Sequence, residues 1–136
     1  MAKVEVKTSK EGHYRQEINT GKYQINADAP ATAGGEATAP DPHELLLAAL
    51  GACSSITMQM YAKRKGYPLK TVKVELSESK QEEAPGQTTV VISKNIKVSG
   101  DLTDEQVNDL KVIADKCPVH KLISGNKQIN TTISHN

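Results

Sequence analysis

Apolar and polar positions alternate along the first part of the chain. Val4, Val6 and Thr8 are interleaved with charged residues, the two-residue period of a strand with one wet face. Tyr14 to Ile18 and Tyr23 to Ala27 read as two further strands, separated by Asn19-Thr20-Gly21, a turn signal. From Ala29 to Pro40 the periodicity lapses into small residues, Gly and Pro. This is a long loop, and such loops are about as often lids or binding segments as passive connections.

A helix is announced by Asp41 as cap, Pro42 at the first helical position and Glu44 in a capping-box-like pattern. It is expected to run to about Lys65, because Lys63-Arg64-Lys65 suit a last turn and Gly66 and Pro68 lie beyond. Leu45 to Ala62 carries no charge. Length alone would allow a membrane span, but Gly51, Ser54, Ser55, Thr57 and Gln59 favour a buried central helix. Two long strands follow. Val72, Val74 and Leu76 alternate with Lys73, Glu75 and Ser77, and Val90, Ile92, Ile96 and Val98 keep the same period, with Lys94 and Lys97 read as intervening residues. Gln81 to Gln87 is read as the polar hairpin loop between them.

Thr103 opens a second helix with Gln106 at its capping-box position, and Val107, Leu110, Ile113, Ala114 and Cys117 form its buried stripe. Pro118 stops it. A short helical turn through Leu122, a loop at Gly125 and a last strand from Ile129 to Ile133 complete the chain. The order β-β-β-α-β-β-α-β describes one α+β domain over residues 1–136, with antiparallel sheet packed on helices.

Composition adds a constraint on assembly. The chain has no Phe, no Trp and only four Tyr, so Leu, Ile, Val, Ala and Met must fill the interior. A charge-free helix in so small a domain needs more cover than one thin sheet gives, and a homodimer would supply it. Net charge is +1 with both signs spread evenly, which gives no support to nucleic-acid binding. The opening MAKVEVKTSK has no apolar run of the kind a secretory signal needs. The expected compartment is the cytoplasm, where a lasting disulfide is unusual and a transient, catalytic one is the common exception.

That expectation gives the two cysteines their interest. Cys53 lies within the charge-free helix, on a face with Leu46, Ala49, Leu50, Ile56, Thr57 and Met60. A thiol so placed is ordinarily a small hydrophobe, inert because burial raises its pKa. As a nucleophile it needs a cation from elsewhere. Arg15 and Arg64 are the only arginines. Arg64 lies about three turns along the same helix, which leaves Arg15 as the better candidate. Cys117 precedes Pro118 and can end one helix and start the next, a setting that lowers a thiol pKa. His120 either lies over the same turn or is a surface residue. Zinc is the weaker alternative, since it takes about four ligands and no further Cys or His has ligand spacing.

The string Pro42-His43-Glu44-Leu45-Leu46-Leu47-Ala48-Ala49-Leu50-Gly51-Ala52-Cys53 resembles the central-helix signature of the OsmC/Ohr family of peroxide-reducing proteins. Ala114-Asp115-Lys116-Cys117-Pro118-Val119-His120 resembles its second-cysteine motif. The strand–helix order matches as well, so the resemblance covers nearly the whole chain, and MYAKRKGYPL looks most like the OsmC-like subgroup. The resemblance implies an intertwined homodimer with antiparallel sheets wrapped around long central helices. It implies a thiol peroxidase in which Cys53 is the peroxidatic thiolate toward an organic hydroperoxide and Cys117 resolves the sulfenic acid to a disulfide. An external dithiol, in the family sometimes a lipoylated protein, would recycle it, with no metal or organic cofactor. The family pairs the activating Arg with a Glu ten positions before the first Cys. That position is His43 here, and Glu44, about 13 Å along the axis from Cys53, follows it. Glu44 joins Cys53, Cys117 and Arg15 as a candidate site residue, with a second role at the helix cap. Arg15 is expected to lack its carboxylate anchor unless Glu44 or Glu36 substitutes, and turnover is expected to be slow. The competing reading is a dimeric protein of the same fold that binds a small apolar or acyl ligand, with weak or no peroxidase activity.

Overall fold

The computed structural model describes residues 2–135. It divides into two compact units whose boundary falls inside the long helix, after Ala48. In the first unit, strands β1 (Glu5–Thr8), β2 (Gln16–Asn19) and β3 (Gln24–Ala27) form an antiparallel sheet in that order. Val6 pairs with Ile18, and Ile18 with Ile25, so one face carries the apolar alternation. The expected turn at 19–21 is present. Thr20 N–H donates to the Tyr23 carbonyl at 2.9 Å, and Gly21 takes φ 94°, a conformation that costs a glycine little.

The loop from Ala29 to Pro40 is more ordered than its composition implied. Asp28 N–H donates to the Pro40 carbonyl at 3.1 Å and closes its ends. The Asp28 side chain is buried, 3% exposed, and a buried carboxylate must collect donors. It accepts from Ala29 N–H at 2.7 Å, Thr38 N–H at 3.0 Å and Thr38 Oγ1 at 2.6 Å. The Thr38 hydroxyl and N–H hold its pKa below the usual carboxylate value, against the upward push of burial. A short 3-10 turn at Ala31–Ala33 folds the loop back, ending at Gly34 with φ 88°.

Helix α1 (Pro42–Lys65) starts with the expected capping box. Glu44 N–H donates to Asp41 Oδ1 at 2.8 Å and Asp41 N–H to Glu44 Oε1 at 3.0 Å. In the second unit α1 continues against a long hairpin of β4 (Leu69–Ala84) and β5 (Gln87–Gly100), followed by α2 (Asp104–Ala114) and α3 (Pro118–Ser124). Gln81 to Ala84 is strand rather than loop, and the reversal narrows to Pro85-Gly86. Two residues with Gly86 at φ 80° suffice to turn a tight hairpin, so the polar residues on either side extend the ladder into solvent. At the base of α2 both capping bonds form, Gln106 N–H to Thr103 Oγ1 and Thr103 N–H to Gln106 Oε1, each 3.1 Å.

The expected last strand is absent. Ile129 to Ile133 has no ladder partner among the described residues, and Ile129 and Ile133 are 86% and 96% exposed. Its alternation is real, but a strand exists only through hydrogen bonds to a neighbour, and none of the described strands pairs with it. The expectation of a buried central helix also holds only along one stripe. Leu50, Gly51, Ser54, Met58 and Ala62 are buried at a spacing near four. Leu46, Ile56 and Met60 are 48%, 49% and 67% exposed. The most apolar window of α1, with mean hydropathy 1.4, is long and apolar enough for a membrane span by length and composition, and only 28% of it is buried. In the second unit the hairpin, α2 and the start of α3 cover one side of the helix and leave the other open.

The core lies where α1 crosses α2 over the base of the hairpin. Met58, Ala62, Leu110 and Ala114 are enclosed, with Tyr61, Tyr67, Val72, Ile96 and Val98 packed around them. Burying a side chain such as Leu110, 1% exposed, stabilises by about 1.5–3 kcal/mol. Ile113 is half-buried, and Val107, expected in the same stripe, is 39% exposed. Both tyrosines donate to one carboxylate, Tyr61 to Asp109 Oδ2 at 2.8 Å and Tyr67 to the same atom at 2.7 Å. These bonds hold Asp109 below the usual carboxylate value and, with burial, push Tyr67 up to about 12.

Tyr67 keeps its proton in the folded state after the unfolded chain, near pH ~10, has lost it. Its contribution is complete below that value and disappears as pH rises toward about 12. Asp109 contributes above the ordinary Asp value and loses its contribution as pH falls through its depressed one. Tyr67→Phe is expected to flatten the loss of stability between about pH 10 and 12, measured by urea unfolding across that range.

Candidate functional site

The two cysteines meet in the second unit. Both are free thiols, Cys117 buried and Cys53 half-exposed. Cys117 sits at the junction anticipated from Pro118. It caps α3, with Pro118 following, and its Sγ accepts from His120 N–H at 3.3 Å. From α1 it meets Ser54, whose Oγ lies 3.5 Å from Sγ. Burial pushes the Cys117 thiol up. The bonds from Ser54 and His120 N–H, with the neighbouring Cys53 thiol and the charge of Lys94, outweigh burial and leave it below its ordinary value.

Lys94 is the residue that sequence reasoning missed. It was read as an intervening position, but it shares the even-numbered phase of Val90, Ile92, Ile96 and Val98. In the sheet it pairs with Leu76, and it points inward, with 9% of its side chain exposed. A buried ammonium must be compensated, and four groups meet it. Ser54 Oγ lies at 3.0 Å, the Ala114 carbonyl at 3.2 Å, His120 Nδ1 at 3.1 Å and Asp115 Oδ1 at 3.1 Å. The signal was available as a lysine in phase with an apolar strand face, two residues from Ile92 and Ile96. Ser54, 0% exposed, was read only as a reason against a membrane span, and Asp115 only as part of a motif. His120 does lie over the Cys117 turn, with a third of its side chain exposed and its ring turned to Lys94.

Arg15 and Glu44 make their hydrogen bonds inside the first unit. Arg15 Nη1 donates to the Thr38 carbonyl at 3.1 Å and to Thr38 Oγ1 at 2.8 Å. Its charge also acts on Asp28, which accepts from the same threonine. The carboxylate associated with Arg15 is therefore Asp28, reached through Thr38. Glu36, one expected substitute, accepts instead from His13 N–H at 3.3 Å, and Glu44, the other, completes the α1 capping box. Arg15 also lines an open polar cavity of about 630 Å³ with Lys7, Glu17, Gln24 and Asn26. In the second unit, Leu50, Val90, Ile92, Lys94, His120 and Ile123 line an open, largely apolar cavity of about 300 Å³. No group of three or more His, Cys, Asp or Glu among the described residues could hold a metal ion.

This arrangement can be set beside known proteins. Residues 34–132 match a family model described as OsmC-like protein. No curated protein matches the sequence. Among solved structures, the chain is similar to an OsmC-like protein from Mycoplasma pneumoniae, with TM-score 0.75 and 16% identity over 92% of this chain and 88% of that one. It is similar to an organic hydroperoxide resistance protein OsmC from Legionella pneumophila, with TM-score 0.69 and 20% identity over 93% and 90%. The organic hydroperoxide resistance protein OhrB of Bacillus subtilis matches with TM-score 0.65 and 24% identity over 93% and 92%. At these identities the likeness is one of fold.

Two neighbouring free thiols, one of them with a lowered pKa, are suited to forming a disulfide. Treatment of the reduced protein with diamide is expected to remove both free thiols together and yield one Cys53–Cys117 bridge within a chain. Peptide mapping without reductant checks this, and a bridge between chains or a surviving free thiol would contradict it.

Proposed function

Because this chain belongs to the OsmC-like protein family, we propose that it is a thiol-dependent reductase of organic hydroperoxides, acting in defence against oxidative stress. The observation that carries the reading is a pair of free thiols, with Cys117 bonded to Ser54, the residue next to Cys53, and to His120, which lines a largely apolar cavity. Cys53 is the peroxidatic residue in this reading, because it is the more exposed thiol and a peroxide must reach it. Its thiolate attacks the distal peroxide oxygen. The O–O bond breaks, the alcohol leaves with a proton, and Cys53 becomes a sulfenic acid. Cys117 then displaces hydroxide to form the disulfide, and an external dithiol, of which a lipoylated protein is one form, restores both thiols. Such a cycle suits the cytoplasm, where structural disulfides are rare and transient ones are the exception.

Leu50, Val90, Ile92 and Ile123 around the cavity favour an apolar hydroperoxide over hydrogen peroxide. Arg15 is the proposed cation for Cys53, since a nucleophilic thiolate is favoured by a positive charge beside it. Its hydroxyl partner Thr38 and the nearby Asp28 replace the glutamate that the family motif holds where His43 stands. Turnover is therefore expected to be slower than that of an efficient organic hydroperoxide reductase. The same apolar cavity also suits the second reading, a binding protein for a small apolar or acyl ligand.

Stopped-flow mixing of reduced protein with cumene hydroperoxide and with hydrogen peroxide tests the assignment. Oxidation is expected to be faster with the organic peroxide, lost in Cys53→Ser, slowed tenfold or more in Arg15→Ala, and stalled at the sulfenic acid in Cys117→Ser. No reaction with either peroxide moves the protein to the ligand-binding reading, and oxidation of Cys117 ahead of Cys53 reverses the roles.

The family architecture is the further part of the proposal, a homodimer with sheets wrapped around paired central helices. It is supported by the exposed face of α1, with Leu46, Ile56 and Met60, and by the unpaired alternating segment at Ile129–Ile133. Sedimentation equilibrium at micromolar concentration is expected to give twice the chain mass, and a stable folded monomer would defeat the proposal.

A further inference from the structure

Ser54 has one hydroxyl proton and two acceptors in reach, the Ala114 carbonyl at 3.3 Å and Cys117 Sγ at 3.5 Å. It cannot serve both. While Cys117 is a thiol, its own S–H can donate to Ser54 Oγ, and the serine proton goes to Ala114. Once the thiol ionises, Sγ becomes an acceptor and the serine proton is needed there. That turn would orphan the carbonyl of Ala114, a residue 0% exposed, except that Lys94 Nζ also donates to it, at 3.2 Å. The same ammonium donates to Ser54 Oγ at 3.0 Å, which makes the hydroxyl a stronger donor to a thiolate.

We propose that Lys94 and Ser54 form a relay that holds Cys117 as the thiolate, with Lys94 as the positioning residue that frees the serine proton. The inference deepens the peroxide-reductase reading and rests on it for the two chemical steps. In the first, the Cys117 thiolate attacks Sγ of the Cys53 sulfenic acid. The S–S bond forms, the S–O bond breaks, and hydroxide leaves to take a proton from water or a buffer acid. In the second, a thiolate of the external dithiol attacks the more exposed sulfur, Cys53. The S–S bond breaks with its electron pair on Cys117, the second thiol of the reductant then releases Cys53, and the dithiol is oxidised as the protein is reduced. A better-stabilised leaving thiolate departs faster, so one device serves both half-cycles.

Three titratable groups surround Cys117 and Lys94. Cys53 comes from α1, Asp115 from the end of α2 and His120 from α3. Lys94 has three N–H bonds for four partners, so Asp115 Oδ1 and His120 Nδ1 share its third. His120 accepts there through Nδ1, and Asp115 lies 3.8 Å from the same nitrogen.

The test isolates Cys117 in a Cys53→Ser background and follows its thiolate by ultraviolet absorbance and by the pH profile of alkylation. Lys94→Met and Ser54→Ala are each expected to move the midpoint up by roughly one pH unit or more, and Lys94→Arg to restore much of it. In the two-cysteine protein, Lys94→Met is expected to slow disulfide formation, timed from the appearance of the sulfenic acid. Should Lys94→Met fail to fold, Ser54→Ala carries the same comparison. An unmoved midpoint in folded Lys94→Met or Ser54→Ala overturns the relay. A midpoint that responds, in a protein that consumes no peroxide, supports the relay and overturns only the peroxide reading.

Discussion

The buried hydroxyl of Ser54 is the constraint on which the second unit depends. It sits in the middle of the only stripe of α1 that the chain covers, between Leu50 and Met58, and is wholly enclosed. A polar group so placed must find partners inside the protein. Those partners are the end of α2, the start of α3 and a lysine from the middle of β5. One serine thus fixes where two helices and a strand converge, and the reactive sulfur lies at that convergence. An alanine there would pack as well and would gather none of them.

The same constraint explains why a lysine is tolerated in line with Val90, Ile92, Ile96 and Val98 on one face of β5. Lys94 pairs across the ladder with Leu76 and stands in line with Ile92 and Ile96. Its ammonium is compensated by one carboxylate and three neutral acceptors, as a buried cation requires. The cost of burying that charge is returned to the site as an electrostatic bias toward thiolate at Cys117. The first unit solves a parallel problem with opposite sign. There a buried aspartate, Asp28, is compensated by Thr38, which also receives Arg15. A loop rich in glycine and alanine acquires a fixed path because a carboxylate at its edge needs donors.

Much of the fold was legible in the chain because it rests on local signals. Both capping boxes, the turn at Gly21 and the period-two strands are determined by residues within a few positions of one another, and each is found where expected, whereas α2 ends at Ala114, short of Cys117, and Pro118 starts α3. The failures have one cause. Ile129 to Ile133 has the alternation of a strand and no neighbour to pair with, and the charge-free face of α1 has the composition of a core and little to pack against. Strand pairing and burial are properties of what lies opposite, which periodicity does not encode.

The site divides along the same line. The sequence by itself determined the two cysteines, their helical settings, the proline that makes Cys117 a cap, and, through the motifs around them, the family. It even held Lys94 in phase with the buried face of β5, since parity along a strand is a local property. Only the tertiary structure decided that Ser54, Lys94, Asp115 and His120 meet around Cys117. It also decided that Arg15 turns to Thr38 and that Glu44 spends its carboxylate on the helix cap. These are contacts between elements up to sixty-three residues apart. They are chosen by which buried polar groups must satisfy one another, a condition that exists only once the chain has folded around them.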